Sequence, residues 1–272
     1  MEEKNKMKKY VLVTGASGGI GKAVAEYLAA NGYHVFGTFH SMPQQSHDSI
    51  EALQMNVTSR ESVEKAYAEV SEKTDHLEGI INIAGAMYMG SLIEEPAETM
   101  KRILDINVYG MCLVNEVFFP LIEKGHGRII NCSSEYGTYA TVPFNAFYTA
   151  SKHAVECYSD GLRRELRYLG IPVVTIRPGA FKTKMETGTA DAFAEICAKT
   201  THYKRNLDKI TPMLVNGTKN AKDTSIIAKV VYEAMTAKKP KRVYKSNHNL
   251  AVKFMSILPQ GMIDTIFYCM FR

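Results

Sequence analysis

With 272 residues, 46% of them hydrophobic and 22% charged, the chain is long enough for one large α/β domain of ordinary soluble composition. Its 33 basic residues exceed the 28 acidic ones by only five, and several lysines lie in a solvated leader, so we expect no nucleic-acid partner. The five cysteines are scattered without metal-ligand spacing, which favours free thiols, no metal site and a reducing, cytoplasmic location.

Short apolar runs alternate with helical patterns along the chain, an order that predicts βαβ units around a parallel sheet. The first run, Tyr10–Val13, is too short for a signal peptide or a membrane span. We expect strands near 9–14, 33–39, 51–57, 79–84, 127–133, 171–177 and 240–245, and helices near 20–31, 60–74, 98–123 and 147–169. The predicted fold class is α/β, a Rossmann-type doubly wound parallel sheet in a single domain over residues 1–245.

Two segments depart from this alternation. Residues 180–225 follow the sixth strand, and we expect short helices there that form a substrate lid, with a surface insertion as the alternative. In the C-terminal extension, 246–272, apolar residues recur every four positions on both sides of Pro259, which predicts two amphipathic helices. We expect these helices to close the substrate pocket or pack on a partner subunit, with peripheral membrane contact as a further possibility.

A glycine-rich turn, residues 14–21 with the sequence TGASGGIG, lies between the first strand and the first helix. Glycines permit a tight turn and a close approach of the backbone to a pyrophosphate, which the N-terminus of the following helix attracts. Because the turn lies between a strand and a helix, it favours a nucleotide-cofactor site over a purely structural turn.

Tyr148 and Lys152 open a long predicted helix, and residues four apart on a helix share a face. A nearby ammonium stabilises a phenolate, so this pair is suited to acid–base chemistry. We therefore expect Lys152 to lower the pKa of Tyr148. An ordinary surface Tyr/Lys pair is the alternative.

Several motifs together resemble the short-chain dehydrogenase/reductase family. The turn matches its T-G-x-x-x-G-x-G motif, and Pro178-Gly179 match its motif after the sixth strand. Residues 82–85 resemble its N-N-A-G element after the fourth strand, with Ile83 in place of the second Asn. The likeness covers about residues 8–183, and the branch it most resembles contains the hydroxysteroid and retinol dehydrogenases. The catalytic tetrad implied by this resemblance is Asn107, Ser134, Tyr148 and Lys152.

The resemblance also implies a role for each member of the tetrad. Tyr148 exchanges the proton, Ser134 binds the substrate oxygen, Lys152 tunes Tyr148 and binds the nicotinamide ribose, and Asn107 anchors a water chain. Ser134 stands fourteen positions before Tyr148, whereas the family spacing is thirteen, so Ser133 is a lesser candidate and Glu135 occupies the nominal position.

The cofactor contacts expected from these motifs are Gly15, Ser17, Gly19, Ile20, Gly21, His40, Asn56, Val57, Asn82, Ala84, Gly85, Tyr148, Lys152, Pro178, Gly179 and Thr183. NAD-selective sites carry an acid at the end of the second strand, where this chain has Phe39. A 2′-phosphate is therefore tolerated, and His40 and Ser17 are placed to contact it. We favour NADP(H), with NAD(H) as the alternative.

These expectations describe an oxidoreductase that moves a hydride between a nicotinamide and a carbonyl or alcohol carbon. Apolar residues at 87–89 and 141–147 suggest a pocket for a lipophilic, steroid- or retinoid-like substrate, although they are equally typical of core or dimer contacts. The alternatives are an NAD-dependent dehydrogenase of a smaller alcohol and a non-catalytic NADP-binding regulator. The resemblance implies a homodimer or homotetramer.

Overall fold

The computed structural model describes residues 8–41, 50–183, 193–219 and 221–272. Within them, seven parallel strands form one sheet in the order β3-β2-β1-β4-β5-β6-β7. The strands are β1 (Lys9–Thr14), β2 (Tyr33–Phe39), β3 (Ile50–Gln54), β4 (Gly79–Asn82), β5 (Arg128–Cys132), β6 (Val173–Pro178) and β7 (Val243–Ser246). The Rossmann-type fold class predicted from the sequence is confirmed.

Helices cover both faces of the sheet. They are α1 (Gly19–Ala30), α2 (Arg60–Ser71), α3 (Ala97–Leu104), α4 (Gly110–Gly125), α5 (Ala146–Leu166), α6 (193–199), α7 (Lys204–Lys219), α8 (Thr224–Thr236), α9 (Leu250–Met255) and α10 (Gln260–Phe271). Helices α1 and α8 pack together on one face, whereas α2, α4 and α5 cover the other. Part of the predicted lid, residues 184–192 and 220, lies outside the described residues, and α6 and α7 form the rest of it.

Side-chain alternation along the strands explains the two layers. Val11 and Val13 of β1 are fully buried in the core beneath α1 and α8, whereas Leu12 between them is buried in the core of the opposite face. Each such side chain contributes about 1.5–3 kcal/mol by leaving water. A strand with both faces covered reads as a continuous apolar run, as β1 does.

The helix predicted at 98–123 is interrupted. It consists of α3, a π-helical turn at Asp105–Tyr109 and α4. The π turn inserts one extra residue in the helical ladder, and such insertions are frequent at functional sites. Asn107 lies within this turn.

The run Ala97–Gly125 is, by length and composition, the one candidate for a membrane span among the described helices, with a mean hydropathy of 1.2. However, α4 packs against β4 and β5, and its apolar side chains belong to the core. The run therefore has the character of a core helix.

The sheet changes direction at β1, whose neighbours are β2 on one side and β4 on the other. Ligands bind in open α/β sheets at the carboxyl ends of the strands where the order reverses. At this edge the Thr14 hydroxyl accepts hydrogen bonds from the N–H groups of Ile83 and Ala84, both at 3.0 Å. These bonds hold the segments after β1 and β4 side by side.

Candidate active site

The turn after β1 has the geometry that its glycines predict. Gly15 and Gly19 have φ values of 71° and 53°, a region that side chains with a Cβ rarely adopt. A Cβ on Gly21 would lie 2.1 Å from the Gly15 carbonyl oxygen, so the third glycine lets α1 pack on the turn. Ser17 is exposed at the tip of the turn, and Ile20 lies in the first turn of α1.

The N-terminus of α1 is suited to an anion. No side chain among the described residues caps its first turn, and that turn carries no acidic residue. The uncapped N–H groups and the positive end of the helix dipole therefore remain for a phosphate group. The residues present fit the pyrophosphate of a dinucleotide.

The segment after β6 approaches this turn from the other side. A Cβ built on Gly19 would lie 3.0 Å from Cγ2 of Thr183, so Thr183 lies directly against the glycine turn. Gly179 has no room for a side chain, because its Cβ would lie 1.9 Å from the carbonyl oxygen of Asn247. Two turns that are expected to contact the cofactor therefore meet at one edge of the sheet.

Ser134 and Tyr148 form the centre of the candidate site. Ser134 ends the segment after β5, accepts a hydrogen bond from the Tyr136 N–H at 3.2 Å, and interacts through its side chain with Tyr148. Ser133 instead lies in the interior, where its hydroxyl donates to the Lys152 carbonyl at 3.5 Å. The geometry thus pairs Ser134, not Ser133, with the tyrosine, in spite of the one-residue difference in spacing.

Lys152 lies one helical turn beyond Tyr148 on α5. Its Nζ is 5.7 Å from the centroid of the Tyr148 ring and donates to the Cys132 carbonyl at 2.9 Å. The side chain is 5% exposed, and burial lowers its pKa. A Cβ on Gly85 would lie 3.8 Å from this Nζ, so the predicted element after β4 borders the lysine.

The pKa of Tyr148 is raised in the structure, not lowered as its spacing from Lys152 predicts. In the protein chain alone, burial raises this pKa, and the interaction with the Ser134 side chain opposes the rise without cancelling it. The Lys152 ammonium, which donates to a backbone carbonyl, does not offset this desolvation of the phenolate. The residues of the chain therefore favour a protonated tyrosine.

Asn107 is buried and makes three hydrogen bonds through its amide. It accepts from the Ala86 N–H at 2.7 Å and donates to the Ala86 carbonyl at 2.8 Å and to Ser151 Oγ at 2.9 Å. The π turn thereby joins the segment after β4 to the helix that carries Tyr148. Its expected part in a water chain stays a prediction.

The side chains of two residues expected to contact the cofactor, Asn82 and Asn56, form hydrogen bonds within the protein. Asn82 is buried, and its Nδ2 donates to Asn115 Oδ1 at 2.7 Å and to Asn131 Oδ1 at 3.0 Å, so its amide nitrogen serves the interior of the sheet. The Asn56 side chain accepts from the N–H and hydroxyl of Thr58 and shapes the turn before α2. Ala84, in contrast, adjoins Gly15, whose Cβ would lie 2.9 Å from it.

None of the described residues at the end of β2 is acidic. Phe39 is half-buried at the end of the strand, and His40 is exposed directly after it. Val57, expected near the adenine, packs against Gly110 at the start of α4. His40 and Ser17 are both exposed, and their expected contact with a ribose phosphate stays a prediction.

A third apolar cluster lies beside the site, apart from the two cores that cover the sheet. It joins the segment after β4, the lid helices α6 and α7, and the C-terminal helix α10. Its buried members are Met89, Phe193, Ile196, Leu207, Ile210, Ile263, Phe267 and Phe271. Residues of the loop before α5, including Val142 and Phe144, pack against it. The apolar residues that the sequence suggested for a pocket mouth thus meet the lid.

Glu94, which no sequence pattern indicated, holds the loop between α6 and α7. The Glu94 carboxylate accepts hydrogen bonds from the hydroxyls of Thr200 and Thr201, at 2.6 and 2.8 Å, and from the N–H groups of Thr201 and His202, at 3.0 and 2.9 Å. The bond from Thr200 contributes most to lowering its pKa to about 2. No local pattern reveals such a contact between residues more than a hundred positions apart.

Comparison with known proteins agrees with this geometry. A family model described as short chain dehydrogenase matches residues 9–193. The chain belongs to the short-chain dehydrogenase family. It is 30% identical to human retinol dehydrogenase 16 over 96% of this chain and 88% of that protein, and 30% identical to rat 17-beta-hydroxysteroid dehydrogenase type 6 over 95% and 87%.

Two further relatives complete this comparison. An NADPH-dependent 3-dehydrocapnine reductase of Ornithobacterium rhinotracheale is 31% identical, with 96% of each chain covered. A short-chain dehydrogenase of Burkholderia cenocepacia, solved with NADP, has the same fold, with a TM-score of 0.74, 18% identity and coverage of 96% and 97%. The chain is therefore an oxidoreductase of the short-chain dehydrogenase family, in the branch that resembles the retinol and hydroxysteroid dehydrogenases.

Proposed function

We propose that this enzyme reduces a carbonyl or oxidises a secondary alcohol with NADP(H), on a bulky lipophilic substrate of steroid or retinoid type. The observation that carries the reaction is the contact of Ser134 with Tyr148, with Lys152 one helical turn away, at the edge of the sheet that also holds the uncapped N-terminus of α1. The apolar cluster under the lid supports the lipophilic substrate.

The chemistry divides between cofactor and chain. The nicotinamide, when bound, supplies or accepts the hydride at its C4. In the reductive direction the Ser134 hydroxyl donates a hydrogen bond to the carbonyl oxygen, and the Tyr148 phenol donates its proton to the same oxygen. Lys152 is held by the Cys132 carbonyl and balances the charge left on the phenolate.

Replacing Tyr148 tests this assignment. The variant Tyr148→Phe keeps the ring but lacks the proton donor, so we expect turnover to fall about a thousandfold while NADPH affinity stays within about twofold. Absorbance at 340 nm measures turnover, and enhancement of nicotinamide fluorescence measures binding. Tyr27→Phe, on the far side of α1, serves as the control because its ring contact with Tyr232 survives. Full activity of Tyr148→Phe would contradict the proposal.

The preference for NADP(H) rests on the end of β2. Phe39 stands where an acid would repel a 2′-phosphate, and one relative is named as NADPH-dependent. We expect Phe39→Asp to weaken NADPH binding about tenfold, or roughly 1.4 kcal/mol of repulsion, and to leave NADH binding unchanged. Phe39→Asn is the neutral control. Equal weakening of both cofactors by Phe39→Asp would argue against a 2′-phosphate at this position.

Two partner surfaces belong to the same proposal. We propose a homo-oligomer through α4 and α5, where the neighbouring Tyr109, Tyr168 and Leu169 are exposed, and sedimentation that finds only monomer would contradict it.

We also propose peripheral contact with lipid through α9 and the residues after it. There Leu250, Phe254 and Ile257 are 63–75% exposed.

A further inference from the structure

Three consecutive residues after β7, Asn247–Asn249, contact the segments that follow both β5 and β6; we call them the clasp. Asn247 has a φ of 55°, unusual for a residue with a side chain, and its Nδ2 donates to the Ala180 carbonyl at 2.6 Å. Its own carbonyl occupies the space beside Gly179. The clasp is therefore fitted tightly against the turn that follows β6.

His248 connects two sides of the site. Its Nε2 lies 2.8 Å from the Arg177 carbonyl oxygen, and its Nδ1 lies 2.6 Å from the Tyr139 hydroxyl. A carbonyl can only accept, so Nε2 carries a hydrogen, and in the neutral ring Nδ1 accepts from the tyrosine. The Tyr139 and His248 rings also meet edge to face at 5.6 Å.

The contacts of His248 continue to the catalytic helix. The Arg177 side chain makes two hydrogen bonds of 2.8 Å with Glu156, which lies on α5 one turn beyond Lys152. A continuous chain of contacts thus runs from α5 through Arg177 and His248 to Tyr139, in the loop that leads from Ser134 back to α5.

Glu135 is the second anchor of the clasp. This carboxyl is buried, directly follows Ser134, and accepts a hydrogen bond from the Asn249 N–H at 2.6 Å. Burial raises its pKa. No cation pairs with it among the described ion pairs, so the clasp supplies a main-chain partner for a group that is costly to bury.

We propose that His248 and Glu135 are positioning residues for the reaction, and that the clasp fixes Ser134 and the Pro178–Gly179 turn relative to Tyr148. This inference rests on the proposed function, in which Ser134 binds the substrate oxygen. Small displacements of such groups reduce turnover strongly, because the reacting atoms must be held in one geometry. The first residues of the C-terminal extension then help to position the catalytic residues.

The two anchors predict different kinetic effects. Glu135→Ala removes the anchor next to Ser134, so we expect kcat to fall about tenfold with NADPH affinity within about twofold. Glu135→Gln keeps an oxygen that accepts the Asn249 N–H and should restore most of kcat. His248→Phe loses both of its bonds, so kcat should fall and the Kd for NADPH should also rise about threefold or more.

The experiment measures kcat, the Kd for NADPH and the melting temperature of these variants, with Tyr27→Phe as the control. Tyr139→Phe, which removes one hydrogen bond without changing the ring, replaces His248→Phe if that variant does not fold. A lower melting temperature with unchanged kcat and Kd would overturn the inference. If the wild-type enzyme turns over no ketone or alcohol, the proposed function fails, and the Kd of His248→Phe still tests the clasp.

Discussion

At the scale of single residues, the environment of Tyr148 determines which protonation state of its phenol the chain favours. Burial raises the pKa of this phenol, so it stays protonated in the neutral range. A protonated phenol is the form that reduction of a carbonyl needs, whereas oxidation of an alcohol needs the phenolate. The chain therefore favours the acid form unless positive charge from the cofactor offsets the desolvation.

This environment predicts different pH profiles for the two directions. Between about pH 6 and 9, kcat/KM for oxidation should rise with pH, because the phenolate fraction rises, while kcat/KM for reduction should stay nearly constant. Initial rates in both directions, in buffers of constant ionic strength, measure this. An oxidation rate that does not change over the whole range would contradict the assignment of the raised pKa to the catalytic tyrosine.

At the scale of elements, Glu94 joins the segment after β4 to the loop that leads into α7. Four hydrogen bonds to one carboxylate hold this loop beside the apolar cluster. Because the pKa is lowered from 4.5 to about 2, the contribution of these bonds to stability is fully present above pH 4.5 and is lost as the pH falls toward 2. The lid contact should be insensitive to pH in the neutral range.

Removing the carboxylate should loosen the lid. In Glu94→Ala we expect the Thr201 and His202 amide hydrogens to exchange with solvent about tenfold faster or more, and KM to rise with little change in the melting temperature. Hydrogen exchange measured by mass spectrometry detects this at neutral pH. Glu98→Ala, an exposed carboxylate in the first turn of α3, is the control. Exchange at the wild-type rate would mean that other contacts hold this segment.

At the scale of the whole molecule, the C-terminal extension has two faces. Ile263, Phe267 and Phe271 of α10 are buried in the cluster with α6 and α7, while α9 presents Leu250 and Phe254 to solvent beside the basic Lys253. We expect the enzyme to float with vesicles that contain anionic lipid and to remain in solution with neutral ones. Phe254→Glu should abolish flotation without lowering turnover of a soluble ketone. Recovery of this variant with anionic vesicles would contradict the lipid contact.

Much of this architecture could be predicted from the sequence, because its signals are local. Continuous apolar runs indicated the buried strands, and the glycines of residues 14–21 indicated a turn that positive φ angles require. The same holds for Tyr148 and Lys152, which one helical period places together. These signals depend on neighbouring residues alone.

The features that the sequence did not predict depend on contacts between distant segments. Asn82 lies in a motif that resembles a cofactor-binding element, yet its amide nitrogen donates hydrogen bonds to Asn115 of α4 and Asn131 of β5. The contacts Glu94–Thr201 and Tyr139–His248 join residues 107 and 109 positions apart. Only the packed fold brings such polar groups together, so no spacing in the sequence indicates these contacts.

The most direct test of the account is the absorbance change at 340 nm when the enzyme is mixed with NADPH or NADH and a panel of steroids, retinoids and small ketones. We expect NADPH to be oxidised on a bulky lipophilic ketone and NADH to be a poorer donor. Turnover with NADH alone would contradict the NADP(H) preference assigned to the end of β2. Turnover on small polar carbonyls alone would contradict the lipophilic substrate assigned to the apolar cluster. No turnover with any substrate would contradict the proposed reaction itself.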